Sequence, residues 1–129
     1  MIKIFKFGGA SVKDAEGVKS LAKILSLYKS ECILIVVSAM GKTTNSLEKI
    51  AESYVRKNPD VQLLFNEVKQ YHENILSGLF EDRSNPVFDD VANAFLEIDW
   101  ILEEEPHPDY DFNYDQIVSI GELVSSRIV

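Results

Sequence analysis

A chain of 129 residues has room for one domain with a single modest hydrophobic core. Its composition, 46% hydrophobic and 26% charged, is ordinary for a globular protein in water. Acidic residues outnumber basic ones by 21 to 13, a net charge of −8. That excess argues against non-specific nucleic-acid binding, which needs Lys and Arg to neutralise phosphates, but leaves room for a local basic site for a small phosphorylated ligand.

Ile2 to Phe7 is short, β-branched and aromatic, and stops at Gly8-Gly9, so it predicts a strand. Ser11 with Asp14 three positions on is close to a capping box, and Val18, Leu21, Ala22, Leu25 and Tyr28 share one helical face. Cys32 to Val37 is a continuous apolar run, as expected of a strand covered on both faces, and Cys32 reads as a small buried hydrophobe within it. Strand, glycine turn, helix and strand make one unit whose strands should be parallel, with a right-handed crossover.

After Gly41, Asn45 with Glu48 predicts another cap, and Leu47, Ile50, Ala51 and Tyr54 a helix face. Asn58-Pro59 ends that helix, and Val61, Leu64, Val68, Tyr71 and Ile75 mark the next. Gly78 and the stretch 82–85 break the pattern. A further stripe, Val87, Val91, Phe95, Ile98 and Leu102, begins just after Pro86. Pro106 and Pro108 mark a loop, and a last helix begins near Asp115 and is still running at Val129. Glu103-Glu104-Glu105 reads as a solvated helix end. Two strands followed by some ninety helical and loop residues leave an α/β sheet incomplete, so the chain reads as the first part of a longer one.

Cys32 is the only cysteine, which rules out an internal disulfide and fits a reducing compartment. No apolar run approaches the ~18 residues of a membrane span. The start, Met1 to Lys6, is too short and too charged for a signal peptide. The compartment expected is the cytoplasm.

Candidate chemistry clusters at the two turns. Gly8-Gly9 precedes a helix whose first N–H groups lack internal partners, an arrangement that suits a phosphate and also one that simply turns the chain. Lys6, at the ligand-binding end of its strand, is either a charge for a transferring phosphoryl group or a surface lysine. Ser38-Ala39-Met40-Gly41-Lys42-Thr43-Thr44 also follows a strand and precedes a helix. It resembles the end of a Walker A loop, but that motif needs Gly where Val36 stands. The hydroxyls of Ser38 and Thr44 suit a polar ligand or a helix cap. Glu122, in the small and apolar run Ile117 to Val124, is either a receptor for a ligand amine or an exposed helical glutamate. His72 and His107 have no nucleophile or metal-ligand spacing around them, and no residue of the chain is expected to ligate a metal directly.

Three stretches together resemble the aspartate kinases of the amino-acid kinase superfamily. That family opens with a strand ending in Lys-Phe-Gly-Gly-Thr-Ser-Val, and here the stretch is Lys6-Phe7-Gly8-Gly9-Ala10-Ser11-Val12. Its Val-Val-Ser-Ala loop is matched by Val36-Val37-Ser38-Ala39-Met40-Gly41, with a Thr-Asn pair at Thr44-Asn45. Its Ser-x-Gly-Glu helix is matched by Ser119-Ile120-Gly121-Glu122. Ala10 replaces the usual Thr and removes a hydroxyl, which puts a side-chain contact from that position in doubt but not the backbone contacts.

The resemblance implies an α/β fold: the N-terminal part of a carbamate-kinase-like three-layer α/β/α sandwich, helix-rich in this segment, with parallel strands at 2–7 and 32–37. Residues 1–129 would form that part of the catalytic domain, the rest of the nucleotide site and the regulatory modules lying elsewhere. It implies that Lys6 contacts the transferring phosphate, that Gly8, Gly9 and Ser11 shape the ATP phosphate loop, and that Ser38 lines the same crevice. Thr44 and Glu122 would hold L-aspartate, Glu122 taking its ammonium group. The implied reaction converts ATP and L-aspartate to ADP and 4-phospho-L-aspartate, with Mg²⁺ on the phosphates, and begins lysine, threonine and methionine biosynthesis. A homo-oligomeric full-length protein is implied as well. A relative acting on glutamate, a carbamate or a nucleotide, or a fragment serving only as an interaction module, are the alternative readings.

Overall fold

The computed structural model describes residues 1–129. In chain order the elements are β1 (Ile2–Phe7), a 3-10 turn (Gly9–Val12), α1 (Ala15–Ser26), β2 (Cys32–Val37), α2 (Thr43–Val55), α3 (Val61–Leu79), α4 (Pro86–Glu103), α5 (Tyr110–Val118) and α6 (Ile120–Ile128). Both strands span the residues expected of them. They pair in parallel, Ile2 opposite Cys32 through to Phe7 opposite Val37, so both turns leave the same end of the sheet.

The face of the sheet bearing Phe5, Phe7, Ile33 and Val37 is half-buried, with Phe5 4.9 Å from the Tyr28 ring. The opposite face, bearing Ile2, Ile4, Cys32, Leu34 and Val36, is exposed. This corrects the expectation that β2 is covered on both faces and that Cys32 is buried. The apolar run is there, but β2 has one neighbouring strand, and nothing within residues 1–129 packs on that second face.

The core lies among the helices instead. Leu47, Ile50, Phe65, Leu76, Ile98, Ile117 and Val124 are essentially inaccessible to solvent and belong to one apolar cluster. α2 packs against α3 and α5, and α4 against α6. Gly78 sits in the last turn of α3 rather than ending it, because a Cβ there would come within 2.7 Å of the Ala15 Cβ; its bareness lets α1 and α3 approach. No helix is long and apolar enough to cross a membrane.

Local signals differ from expectation at three starts. Ser11 does not cap α1: it lies in the 3-10 turn, its N–H donating to the Gly8 carbonyl, and the Asp14 carboxylate caps α1 by accepting from the Gly17 N–H at 2.7 Å. Asn45 does not cap α2, which begins two residues earlier at Thr43 with no side-chain cap. The single last helix is two, α5 starting at Tyr110 under an Asp109 cap and α6 following a break at Ser119. α4 begins as read, with Pro86 in its first turn and Asn85 accepting from the Val87 N–H at 3.0 Å.

Candidate functional site

The two turns are bonded to each other. The Phe7 carbonyl, at the end of β1, accepts from the Ser38 N–H at 3.0 Å, and the Gly9 carbonyl accepts from the Gly41 N–H at 3.0 Å. A Cβ on Gly9 would lie 2.6 Å from the Gly41 oxygen and 2.9 Å from that of Ala39, so only a glycine fits so close an approach. Gly41 turns the second loop at φ +56°, in the left-handed region where glycine carries no penalty. Gly8 is different: its backbone is extended, and a Cβ there would meet nothing within 4 Å.

α6 joins this pair of loops through Gly121. A Cβ there would stand 3.1 Å from Leu47 Cδ1, 3.2 Å from Ala39 Cβ and 3.4 Å from Thr43 Cγ2. Ala39 is thus touched by Gly9 from one side and would be touched by any side chain at position 121 from the other. Glu122, next to Gly121, falls in the first turn of α6 and is exposed. The positive end of the helix dipole favours a carboxylate there.

The structure places the expected residues around that meeting point as follows. Lys6 is exposed one residue before the Phe7 carbonyl, in register with Val36. Gly8, Gly9 and Ser11 form the first turn, and Ser11 is exposed. Ser38 is half-buried at the start of the second loop, and Thr44 is half-buried in the uncapped first turn of α2. No group of three or more His, Cys, Asp or Glu is placed to hold a metal ion.

Beside the loops, on the α3 side of α2, lies a cleft of about 330 Å³ lined by Lys42, Thr43, Ser46, Lys49, Glu67 and Tyr71, among others. Lys6, Ser38 and Glu122 do not line it.

Thr43 at the end of the second loop, and two residues outside the motifs, His72 and Tyr71, support that loop. The Thr43 hydroxyl is buried and donates to the Met40 carbonyl at 2.6 Å. His72 is fully buried, donating from Nδ1 to the Val68 carbonyl at 2.8 Å, with Nε2 3.5 Å from Thr43 Oγ1. Burial pushes the His72 pKa below its usual 6.5, although the bond to Val68 pulls the other way. Tyr71 donates its hydroxyl to the Lys13 carbonyl. Burial, and then the charge of Asp14, raise its pKa, so it stays a donor near neutral pH. In sequence, Tyr71 is one member of an apolar stripe and His72 has no nucleophile or metal-ligand spacing around it, so nothing local marks either.

Residues 1–129 match the family model described as the amino acid kinase family. Aspartokinase 1, chloroplastic, of Arabidopsis thaliana is 32% identical over 131 residues, covering 97% of this chain and 22% of that protein. Aspartokinase 2, chloroplastic, of the same plant is 48% identical over 52 residues, 40% of this chain and 10% of the relative. The aspartokinase of Chlamydia trachomatis is 25% identical over 126 residues, 98% of this chain and 26% of the relative. Among solved structures, Escherichia coli aspartokinase III in complex with aspartate and ADP superposes with a TM-score of 0.81 at 26% identity, over 99% of this chain and 28% of that one. The same enzyme in complex with lysine and aspartate gives 0.81 and 26%, over 98% and 27%. This chain therefore spans about a quarter or less of the length of these relatives.

Proposed function

The chain belongs to the amino acid kinase family, and from that premise we propose that it is the N-terminal part of the catalytic domain of an aspartate kinase. One observation carries the reading: Gly9, the Ala39–Gly41 loop and Gly121, separated by up to 112 positions in sequence, meet around Ala39. That brings the three stretches resembling aspartate kinases to one end of one sheet. The names of the matched relatives support it, and the aspartate and ADP in the complex of the Escherichia coli enzyme show what that protein binds.

In this reading ATP lays its phosphates along the first turn. The open backbone at Gly8 admits close approach, while Gly9 and Ser11 hold the turn's shape. Lys6 offsets charge on the transferring phosphoryl group. Ser38 lines the crevice, and Thr44 and Glu122 hold L-aspartate, with Glu122 receiving the ammonium group. An oxygen of the aspartate side-chain carboxylate, already ionised at neutral pH, attacks the γ-phosphorus. The bond from that phosphorus to the bridging oxygen breaks, ADP leaves with the electron pair, and no general base is needed. Mg²⁺ enters as part of the ATP complex. Catalysis then rests on positioning and charge stabilisation. We further propose a homo-oligomeric full-length protein in the cytoplasm, the compartment supported by the unpaired thiol of Cys32.

The test is a coupled ADP-release assay on the full-length protein with L-aspartate, L-glutamate, carbamate and nucleoside monophosphates as acceptors. Turnover that depends on L-aspartate is expected. Turnover restricted to another acceptor overturns the aspartate assignment.

A further inference from the structure

Tyr71 stands in α3, an element that contributes nothing to the three sequence motifs, yet its hydroxyl touches the backbone of both ligand-facing loops. It donates to the carbonyl of Lys13, just past the first turn. It also lies against Gly41, where any added Cβ would strike the Tyr71 oxygen. The two loops meet directly through two backbone bonds, Ser38 to Phe7 and Gly41 to Gly9. Tyr71 is a third point of support, outside both.

The ring itself is held. Its edge packs on His72 with centroids 5.1 Å apart, and His72 in turn packs on Phe95 at 5.2 Å. His72 cannot swing, since Nδ1 is bonded to the Val68 carbonyl and the whole residue is buried. The second loop is further tied by the Thr43 hydroxyl to Met40, with Thr43 Oγ1 3.5 Å from His72 Nε2. A rigid core helix thus carries a hydroxyl to the joint between the loops.

Resting on the phosphoryl-transfer reading above, we propose that Tyr71 is a positioning residue: its hydroxyl sets the spacing between the Gly8–Lys13 turn and the Ser38–Gly41 loop, and so the alignment of phosphate donor and acceptor. No motif places Tyr71 against a reactant. Its effect is carried by the backbone of Lys13 and Gly41. A misplacement of about 1 Å at such a site costs on the order of 100-fold in rate.

Tyr54 supplies a matched control, because its hydroxyl also donates to a backbone carbonyl, that of Glu104 at 2.9 Å, away from both loops. Tyr71→Phe and Tyr54→Phe each delete one phenolic hydroxyl that donates to a backbone carbonyl. In the full-length protein, Tyr71→Phe should lower kcat by about tenfold or more with KM for ATP and aspartate changed less than about threefold, the pattern of lost alignment rather than lost binding. Amide hydrogen exchange at Gly41 should quicken in the same variant. Tyr54→Phe should lower the melting temperature similarly while leaving kcat and Gly41 exchange alone. Unchanged kcat and Gly41 exchange in Tyr71→Phe, or an equal loss of kcat in both variants, overturns the proposal. If the wild type turns over no acceptor, the kinase reading falls, and Gly41 exchange alone decides whether Tyr71 spaces the loops.

Discussion

Gly8 and Gly9 are neighbours of the same residue type, and the structure assigns them opposite tolerances. Replacing Gly9 by Ala puts a Cβ 2.6 Å from the Gly41 oxygen, 0.8 Å short of the 3.4 Å at which ordinary contact begins. Both obstructing atoms are backbone carbonyls, so no side chain can rotate away; the loops must part. Opening by that amount breaks the 3.0 Å bond from the Gly41 N–H to the Gly9 carbonyl. Overpacking and one lost hydrogen bond together cost about 2 kcal/mol, a fall of about 5 °C in melting temperature. The displacement also approaches the ~1 Å that lowers turnover on the order of 100-fold. Gly8→Ala meets nothing within 4 Å, at φ −75° that any residue adopts, so its melting temperature should match wild type. Any activity Gly8→Ala loses then reports hindered ligand approach. Differential scanning calorimetry and the ADP-release assay on both full-length variants supply the readouts. A Gly9→Ala protein that melts and turns over like wild type would show that the loops are not in the contact described.

Lys6→Ala should cut turnover by two to three orders of magnitude, about 3–4 kcal/mol by analogy with a lost oxyanion-hole donor, with unchanged melting because Lys6 is exposed; near-normal turnover demotes it to a surface residue. His72 has a folded pKa below its usual 6.5, so the unfolded chain takes up the proton first, and His72 contributes stability above pH 6.5 that is lost as pH falls below it. Melting temperatures between pH 7.5 and 5.5 should therefore decline more steeply for wild type than for His72→Leu, and parallel curves would sink that assignment. Residues 1–129 produced alone should show no aspartate-dependent ADP release, since they build one wall of the site; turnover within tenfold of the full-length protein would mean the site is complete within them.

Both strands and their parallel pairing were legible because each is a compact β-branched run closed by a glycine-containing turn, a signal that is entirely local. So was the start of α4, where Asn85 and Pro86 act on their own next residues. What failed depends on distant partners. The apolar run of β2 says that it can be covered but not by what, and within these residues its outer face is bare. The break at Ser119 has no local breaker: the N–H of Ser119 still reaches Asp115, and Leu123 still reaches Ser119, over stretched bonds of 3.3 and 3.4 Å. The geometry there follows from seating Gly121 on Ala39 and Leu47. Within the candidate site the motifs mark residues of the two turns and of the start of α6. Tyr71, whose hydroxyl partner lies 58 positions away, is indistinguishable from core until the chain is folded.

The seating of Gly121 against Ala39 also fixes an order of events during synthesis. Gly9 and Gly41 are 32 positions apart and Ala39 and Gly121 are 82 apart, a difference worth only about 0.8 kcal/mol in loop-closure entropy. Time separates them more than energy does. At roughly 5–20 residues per second, α6 leaves the ribosome about 4–16 s after the second loop. Through that interval the sides of Leu47 and Thr43 that α6 will cover stay open to water and to chaperones.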